Sequence, residues 1–142
     1  MSGTTIRCAT ALLLLSAGGH LAAAAVATNA AAESPRGVDL AQLKGWSIVV
    51  AIDAIASEIY AAEEFQQLFR EASGVTLPIV HRTDRWDRNV YIGPGSTMKA
   101  SPVGFAVDDL GPEDLRIVVR NDAIAIAGGR PRGTLYGVYT FL

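Results

Sequence analysis

Paired carboxylates are the residues here whose type and spacing could do chemistry, since two acids about 5 to 9.5 Å apart can hydrolyse a glycosidic bond. Adjacent pairs include Glu63 with Glu64 and Asp108 with Asp109. Neighbouring residues of a helix diverge by about 100°, so the first pair does not converge. The second pair lies in VDDLGPED, a composition typical of a solvated turn. We therefore predict no catalytic residue in this chain.

The side chains that nucleophilic catalysis or metal binding would need are also scarce. The chain has two histidines and one cysteine, and His20 and Cys8 lie in an apolar N-terminal stretch. His81 stands alone in a charged loop, without a GxSxG sequence, and is predicted to be a surface residue. A zinc site needs three or four ligands at a recognisable spacing, and IGPGST at 92–97 lacks the Lys-Ser/Thr ending of a phosphate loop. The sequence predicts no metal site and no cofactor.

Three residues are candidates for binding carbohydrate. Arg130 and Arg132, in GGRPRG, precede a predicted helix and could attract an anion such as a sugar carboxylate. Alternatively, the glycines make a tight turn and both arginines point to water. Trp86, in HRTDRWDR, is predicted to be exposed and could stack on a sugar, although an interdomain contact explains it equally well. Trp46 opens an apolar run and is predicted to be core.

The elements that position these residues begin with an apolar run at 46–52, predicted to be a buried strand. A helix follows over 58–73, with Ser57 as its cap and Gly74 as its stop. Its predicted apolar face consists of Ile59, Ala62, Phe65, Phe69 and Ala72. The next apolar run, at 76–80, completes a strand, helix, strand crossover.

The second half of the chain is predicted to be mostly sheet. A strand is expected at 89–93 and another at 104–107, with a turn-rich segment between them. Strands over 115–120 and 123–128 should form a hairpin through Asn121 and Asp122, which both tolerate positive φ. A last helix should begin near Pro131. The order predicts an α/β (α+β) two-layer sandwich, with a mixed sheet of about five strands and two helices on one face.

Residues 1–32 have the composition of a secretory signal peptide, with small residues at two cleavage positions, near Ala27 or Ala32. The alternative is a retained membrane anchor. Cleavage would leave a polar lead-in at 33–44 and a domain at 45–142, secreted or periplasmic and without a membrane partner. The mature chain would carry 11 basic and 14 acidic residues, a charge of about −3. Since the two signs are interspersed, nucleic acid is not predicted as a partner.

Three segments in this order resemble a known family: WSIVVAIDAIASEIYAAEEFQQLFREASGVTLPIV, NVYIG and AIAIAGGRPRGTLYGVYTFL. They are similar to the N-terminal, non-catalytic domain of bacterial alpha-glucuronidase-like and beta-hexosaminidase-like glycoside hydrolases, over nearly all of 45–142. In such proteins a small α/β sandwich packs beside a (β/α)₈ barrel, which carries the catalytic carboxylates. The resemblance implies an accessory domain of a secreted glycosidase, with that barrel as its partner in cis. It assigns no catalytic residue and no particular sugar.

The closing stretch GRPRGTLYGVYTFL has no glycine, proline or charged last turn to end its helix. We expect a reading frame truncated before the catalytic barrel. Two other hypotheses stand beside the accessory domain. One is a free-standing carbohydrate-binding module that uses Trp86, Arg130 and Arg132. The other is a purely structural module that buries one face of its last helix against a neighbour, and would be aggregation-prone alone.

Overall fold

A five-stranded mixed sheet organises residues 37–142, the part of the chain that the computed structural model describes. The predicted signal peptide lies outside these residues. The strands are β1 (Ser47–Val50), β2 (Ile79–Val80), β3 (Asn89–Ile92), β4 (Leu115–Arg120) and β5 (Ala123–Gly128). They lie in the order β2-β1-β3-β5-β4, and each pair of neighbours is parallel except β4 with β5. The helices are α1 (Ala56–Ser73), α2 (Ser96–Ala100) and α3 (Gly133–Phe141).

The hairpin between β4 and β5 forms where the sequence predicts it. Asn121 and Asp122 make the turn with φ angles of 52° and 54°, the left-handed values that a two-residue hairpin requires. Six residue pairs follow in antiparallel register, from Arg120 opposite Ala123 to Leu115 opposite Gly128. Strand β4 is only half-buried because it forms an edge of the sheet, whereas β5 lies between β3 and β4 and is buried on both faces.

Helix α1 ends as predicted but begins differently. Gly74 adopts φ 73° and its N–H donates to the carbonyl of Arg70 at 2.8 Å. The prediction of Ser57 as cap is wrong, because the helix starts after Ile55 and the Glu58 carboxylate accepts the Ile55 N–H at 3.0 Å. Glu58, in the first turn, thus satisfies the N–H of Ile55, which has no backbone hydrogen-bond partner within the helix.

The two long helices pack on one face of the sheet, as predicted. Phe65 lies between Phe69 and Phe141, with ring centroids 6.0 Å from each, so α1 buries its apolar stripe against α3 as well as the strands. Ile59 and Ala72, predicted on the buried face, are exposed, since this second contact turns the stripe away from them. The buried face of α1 consists of one acid and four apolar residues: Glu58, Ala61, Ala62, Phe65 and Phe69.

The opposite face of the sheet is covered by α2 and the segment after it. Met98 and Val103 are buried there against Val49, Tyr91 and the small side chains of β5. The turn-rich segment therefore contains a helix that the sequence analysis missed, and 104–107 is not a strand. The two-layer α/β sandwich with a mixed sheet is confirmed, with a short third helix on the face opposite the long ones.

Candidate functional site

The carboxyl ends of β1, β3 and β5 meet at one edge of the sheet, which we call the carboxyl edge (residues 51–58, 93–96 and 129–132). The chain leaves β1 towards α1 on one face and leaves the neighbouring β3 towards α2 on the other face. A divergence of this kind opens a crevice outside the strand ends, and open α/β sheets take their ligands there. The carboxyl edge is therefore the candidate functional site.

An ion pair between a buried carboxylate and a half-exposed guanidinium lies at this edge. Glu58, only 1% exposed, accepts from Arg130 Nε through Oε1 at 2.8 Å and from Arg130 Nη2 through Oε2 at 3.3 Å. The Arg130 side chain is 47% exposed, so the cation reaches water while the carboxylate does not. The hydrogen bond to Glu58 raises the pKa of Arg130 above its usual value. The pair ties the start of α1 to the turn before α3.

A second, exposed contact bridges the loops that follow β1 and β3. Asp53 Oδ1 accepts from the Ser96 hydroxyl at 3.3 Å and from the Ser96 N–H at 3.4 Å. Hydrogen bonds from its own backbone N–H and from Ser96 hold the pKa of Asp53 below its usual value. Asp53 therefore stays ionised and bridges the two loops.

Two glycines let the backbone approach these groups closely. A Cβ on Gly95 would lie 2.3 Å from the Ala51 Cβ, and one on Gly93 would lie 3.2 Å from Glu58 Cγ. Gly93 also has φ 88°, which side-chain-bearing residues rarely adopt. The loops that follow β1 and β3 therefore pack closely together at the carboxyl edge.

The three predicted carbohydrate-binding residues do not form one site. Arg130 and Arg132 lie at the carboxyl edge, and Arg132 pairs with the carboxylate of Glu113. Trp86 precedes β3, and the Arg88 N–H that follows it donates to Asp122 at the opposite end of β5. Five steps along β5 at about 3.3 Å each separate the two ends by roughly 17 Å. The structure brings the arginines together and places Trp86 at the far edge.

The residues considered for catalysis are dispersed. Glu64 accepts from the Tyr139 hydroxyl at 2.9 Å, and Asp109 pairs with Arg116 at 2.9 Å, which lowers the Asp109 pKa. His81 is exposed, with Nδ1 3.1 Å from the Val50 carbonyl oxygen. Within residues 37–142, no three His, Cys, Asp or Glu side chains converge on a point that could hold a metal ion.

Glu58, Asp53 and Ser96 are the residues that the sequence analysis missed. One signal was available for Glu58, which lies on the stripe of Ala62, Phe65 and Phe69 at steps of four, three and four. An acidic side chain on the buried face of a helix needs a cationic partner, and this indicates an ion pair at Glu58. Asp53 and Ser96 are 43 residues apart in loops, and no local pattern connects them.

Comparison with known proteins adds no assignment, because no protein-family model and no curated protein matches this chain. In the portion that the structure describes, no helix combines the length and the hydropathy needed to cross a bilayer.

Proposed function

We propose that this chain is the non-catalytic N-terminal accessory domain of a secreted glycoside hydrolase that acts in carbohydrate breakdown. Its catalytic (β/α)₈ barrel would be a neighbouring domain in cis. The observation that supports a non-catalytic role is the mutual pairing of the polar side chains at the carboxyl edge. There, Glu58 pairs with Arg130 and Asp53 bridges to Ser96, in the crevice where an enzyme of this architecture would hold its substrate.

The chemistry of that edge favours a structural role. The buried carboxylate of Glu58 is paired with Arg130 and also accepts the Ile55 N–H, so three hydrogen bonds from the chain itself use most of its acceptor capacity. A general acid or base must instead reach a substrate atom with a free proton or lone pair. The neighbouring arginine, Arg132, is likewise paired with a carboxylate of its own chain.

An exposed aromatic surface on the helical layer supports contact with a neighbouring domain. Tyr60 of α1 and Tyr136 and Tyr139 of α3 are exposed, and Glu64 between the helices accepts from the Tyr139 hydroxyl. Tyrosines are enriched at protein interfaces because the ring is apolar and the hydroxyl keeps a polar partner. This tyrosine surface is where we place the interface with the proposed barrel.

The family proposal rests on the resemblance of the three sequence segments, and the proposed export rests on the signal-like residues 1–32. After cleavage, the mature protein would be secreted or periplasmic.

A hydrolysis assay tests whether the chain itself is catalytic. The purified chain is incubated with 4-nitrophenyl α-glucuronide, β-N-acetylglucosaminide, β-glucoside and β-xyloside, beside a buffer blank. We expect no release of nitrophenol above the blank. Turnover that co-purifies with the chain and is abolished by Glu58→Gln or Asp53→Asn would overturn the accessory role. A commercial β-glucosidase at the same concentration serves as the positive control.

A further inference from the structure

We propose that strand β4 is a dimerisation edge, to which a second copy of this chain adds its own β4 in antiparallel register. The two five-stranded sheets would then join across a two-fold axis into one continuous sheet. This inference goes beyond the accessory role, because it depends only on the backbone and side chains around β4. It requires neither a catalytic domain nor a carbohydrate.

The two edges of the sheet differ in how well they could accept another strand. The sheet ends at β2 on one side and at β4 on the other. Strand β2 has two residues, whereas β4 has six, LRIVVR, and contains no proline. Each residue of β4 pairs with one residue of β5, so no bulge twists this edge away. Soluble proteins usually keep an edge strand short, interrupt it or cover it. A regular edge of this length therefore suits a partner strand.

The backbone groups of alternate residues in β4 point away from β5. The Gly93 N–H donates to the Ile126 carbonyl at 2.9 Å, so the backbone groups of Ile126 face β3 and not β4. Ile117 lies directly opposite Ile126. Because opposed residues of an antiparallel pair exchange either both hydrogen bonds or neither, the N–H and C=O of Ile117 point outward. The Gly129 N–H donates to the Asp114 carbonyl at 3.0 Å, which shows that the residues of the other parity face β5.

Three residues of β4 therefore present their N–H and C=O groups along the edge: Leu115, Ile117 and Val119. In the part of the chain that the structure describes, no backbone hydrogen bond from outside the sheet reaches these groups. A second β4 with Ile117 opposite its own copy also places Leu115 opposite Val119, at both ends. Each of these three pairs exchanges two hydrogen bonds, which uses every outward group. A register shifted by two residues loses one of the pairs.

The side chains are complementary in the same register. On the face that α1 and α3 cover, Ile117 and Val119 border the core, and Leu115 of one copy would lie beside Val119 of the other. On the opposite face, Arg120 would lie opposite Asp114 of the second copy, and the two-fold axis produces this pair twice. Arg120 and Asp114 are both exposed. Opposite charges across neighbouring strands stabilise their pairing, so the charges favour a second copy as the partner.

The other arginine of β4 does not oppose this pairing, because its own chain already holds its charge. Arg116 Nη1 donates to the Ala106 carbonyl at 2.9 Å, and Nη2 pairs with Asp109 at 2.9 Å. The guanidinium also lies over the Phe105 ring, 5.5 Å from its centroid. The dimer therefore brings together no arginine that lacks an acidic partner.

Sedimentation velocity of the whole purified chain, over a range of concentrations, tests this inference. We expect a reversible equilibrium between monomer and dimer, because an interface across a two-fold axis closes on itself. Hydrogen exchange read by NMR then locates the interface. In the monomer, the amides of Arg116 and Val118 should be protected by β5, while those of Ile117 and Val119 exchange rapidly. In the dimer, all four should be protected. A chain that stays monomeric at every concentration, or a dimer in which Ile117 still exchanges rapidly, overturns the inference.

Two variants block the edge in different ways. Ile117→Pro removes an N–H that β5 does not use, so the domain should remain folded, by circular dichroism, and lose its dimer. Arg120→Glu places like charges opposite Asp114 at both ends of the interface. It should raise the dissociation constant of the dimer by about tenfold or more, and adding Asp114→Lys should recover part of the affinity.

The matched control is Arg82→Glu, the same reversal of charge at an exposed residue beyond β2. This variant should dimerise within about twofold of the wild type, because solvent and salt screen distant charges. The inference is overturned if folded Ile117→Pro still dimerises, or if Arg120→Glu dimerises as tightly as Arg82→Glu. Should Ile117→Pro fail to fold, the comparison of the two charge reversals decides.

Discussion

Arg130→Met should destabilise the domain more than Glu58→Gln, the substitution at its partner. In Arg130→Met, the Glu58 carboxylate, 1% exposed, stays buried without its cation. An uncompensated buried charge costs about 3 to 5 kcal/mol. Because the Arg130 side chain is 47% exposed, water can enter the vacated space, which favours the lower end, about 3 kcal/mol. For a domain of about 100 residues, this lowers Tm by about 12 °C or more.

Glu58→Gln produces a smaller loss. The glutamine keeps the shape of the side chain and can still accept the Ile55 N–H, while the Arg130 cation turns to solvent. We expect the free energy of unfolding to fall by about 1 kcal/mol, the usual net contribution of one hydrogen bond. In the double variant, Arg130→Met with Glu58→Gln, no buried charge is left without a partner. The combined loss should therefore fall short of the sum of the single losses by about 1 to 2 kcal/mol.

Urea unfolding of the full chain, followed by circular dichroism, measures these free energies. The control is Arg132→Met, which breaks the pair with Glu113, in which the side chains are 57% and 58% exposed. Exposed pairs contribute about 0 to 1 kcal/mol, so this variant should remain near the wild type. The reasoning is refuted if Arg130→Met is no more destabilised than Arg132→Met, or if Arg130→Met and Glu58→Gln are additive.

Two further predictions concern close packing and alkaline pH. Gly95→Ala should lower the free energy of unfolding in urea by about 1 to 3 kcal/mol, because the added Cβ would clash with Ala51. The control Gly37→Ala places its Cβ in open space and should leave that free energy unchanged. Equal stability of the two variants would contradict this prediction. A hydrogen bond to Glu64 raises the pKa of Tyr139 from 10.0 to about 12. Because the pKa is higher in the folded protein, this hydrogen bond stabilises the fold fully below pH 10, and the stabilisation is lost as the pH rises through 12. Spectrophotometric titration of phenolate should show that component near pH 12, and Glu64→Gln should move it towards 10; an unmoved component would exclude the hydrogen bond as the cause.

Local patterns predicted the five observed strands and the hairpin because those patterns act at short range, although they also predicted a strand at 104–107 that does not form. Asn121 and Asp122 have the turn chemistry that places β4 against β5, and Gly74 ends α1 through its own backbone. Trp46 and Trp86 were separated correctly into buried and exposed, since one opens an apolar run and the other lies among charges.

The missed features depend on contacts between distant parts of the chain. Ser57 does not cap α1, and its hydroxyl donates at 2.6 Å to the carbonyl of Pro131, 74 residues away. Helix α2 spans five residues, too few for a periodic signal, and begins where Ser96 meets Asp53. The pairing of Arg130 with Glu58 follows from the sheet order, which places β5 beside β3 and β3 beside β1.

The most direct measurement of the central proposal is the nucleotide sequence that follows codon 142 in the native gene. An accessory domain of a glycoside hydrolase predicts an open frame of several hundred further codons, with alternating strands and helices of a (β/α)₈ barrel. The encoded protein should hydrolyse a glycoside that the present chain leaves intact. A stop codon directly after Leu142 in the native gene would contradict the account.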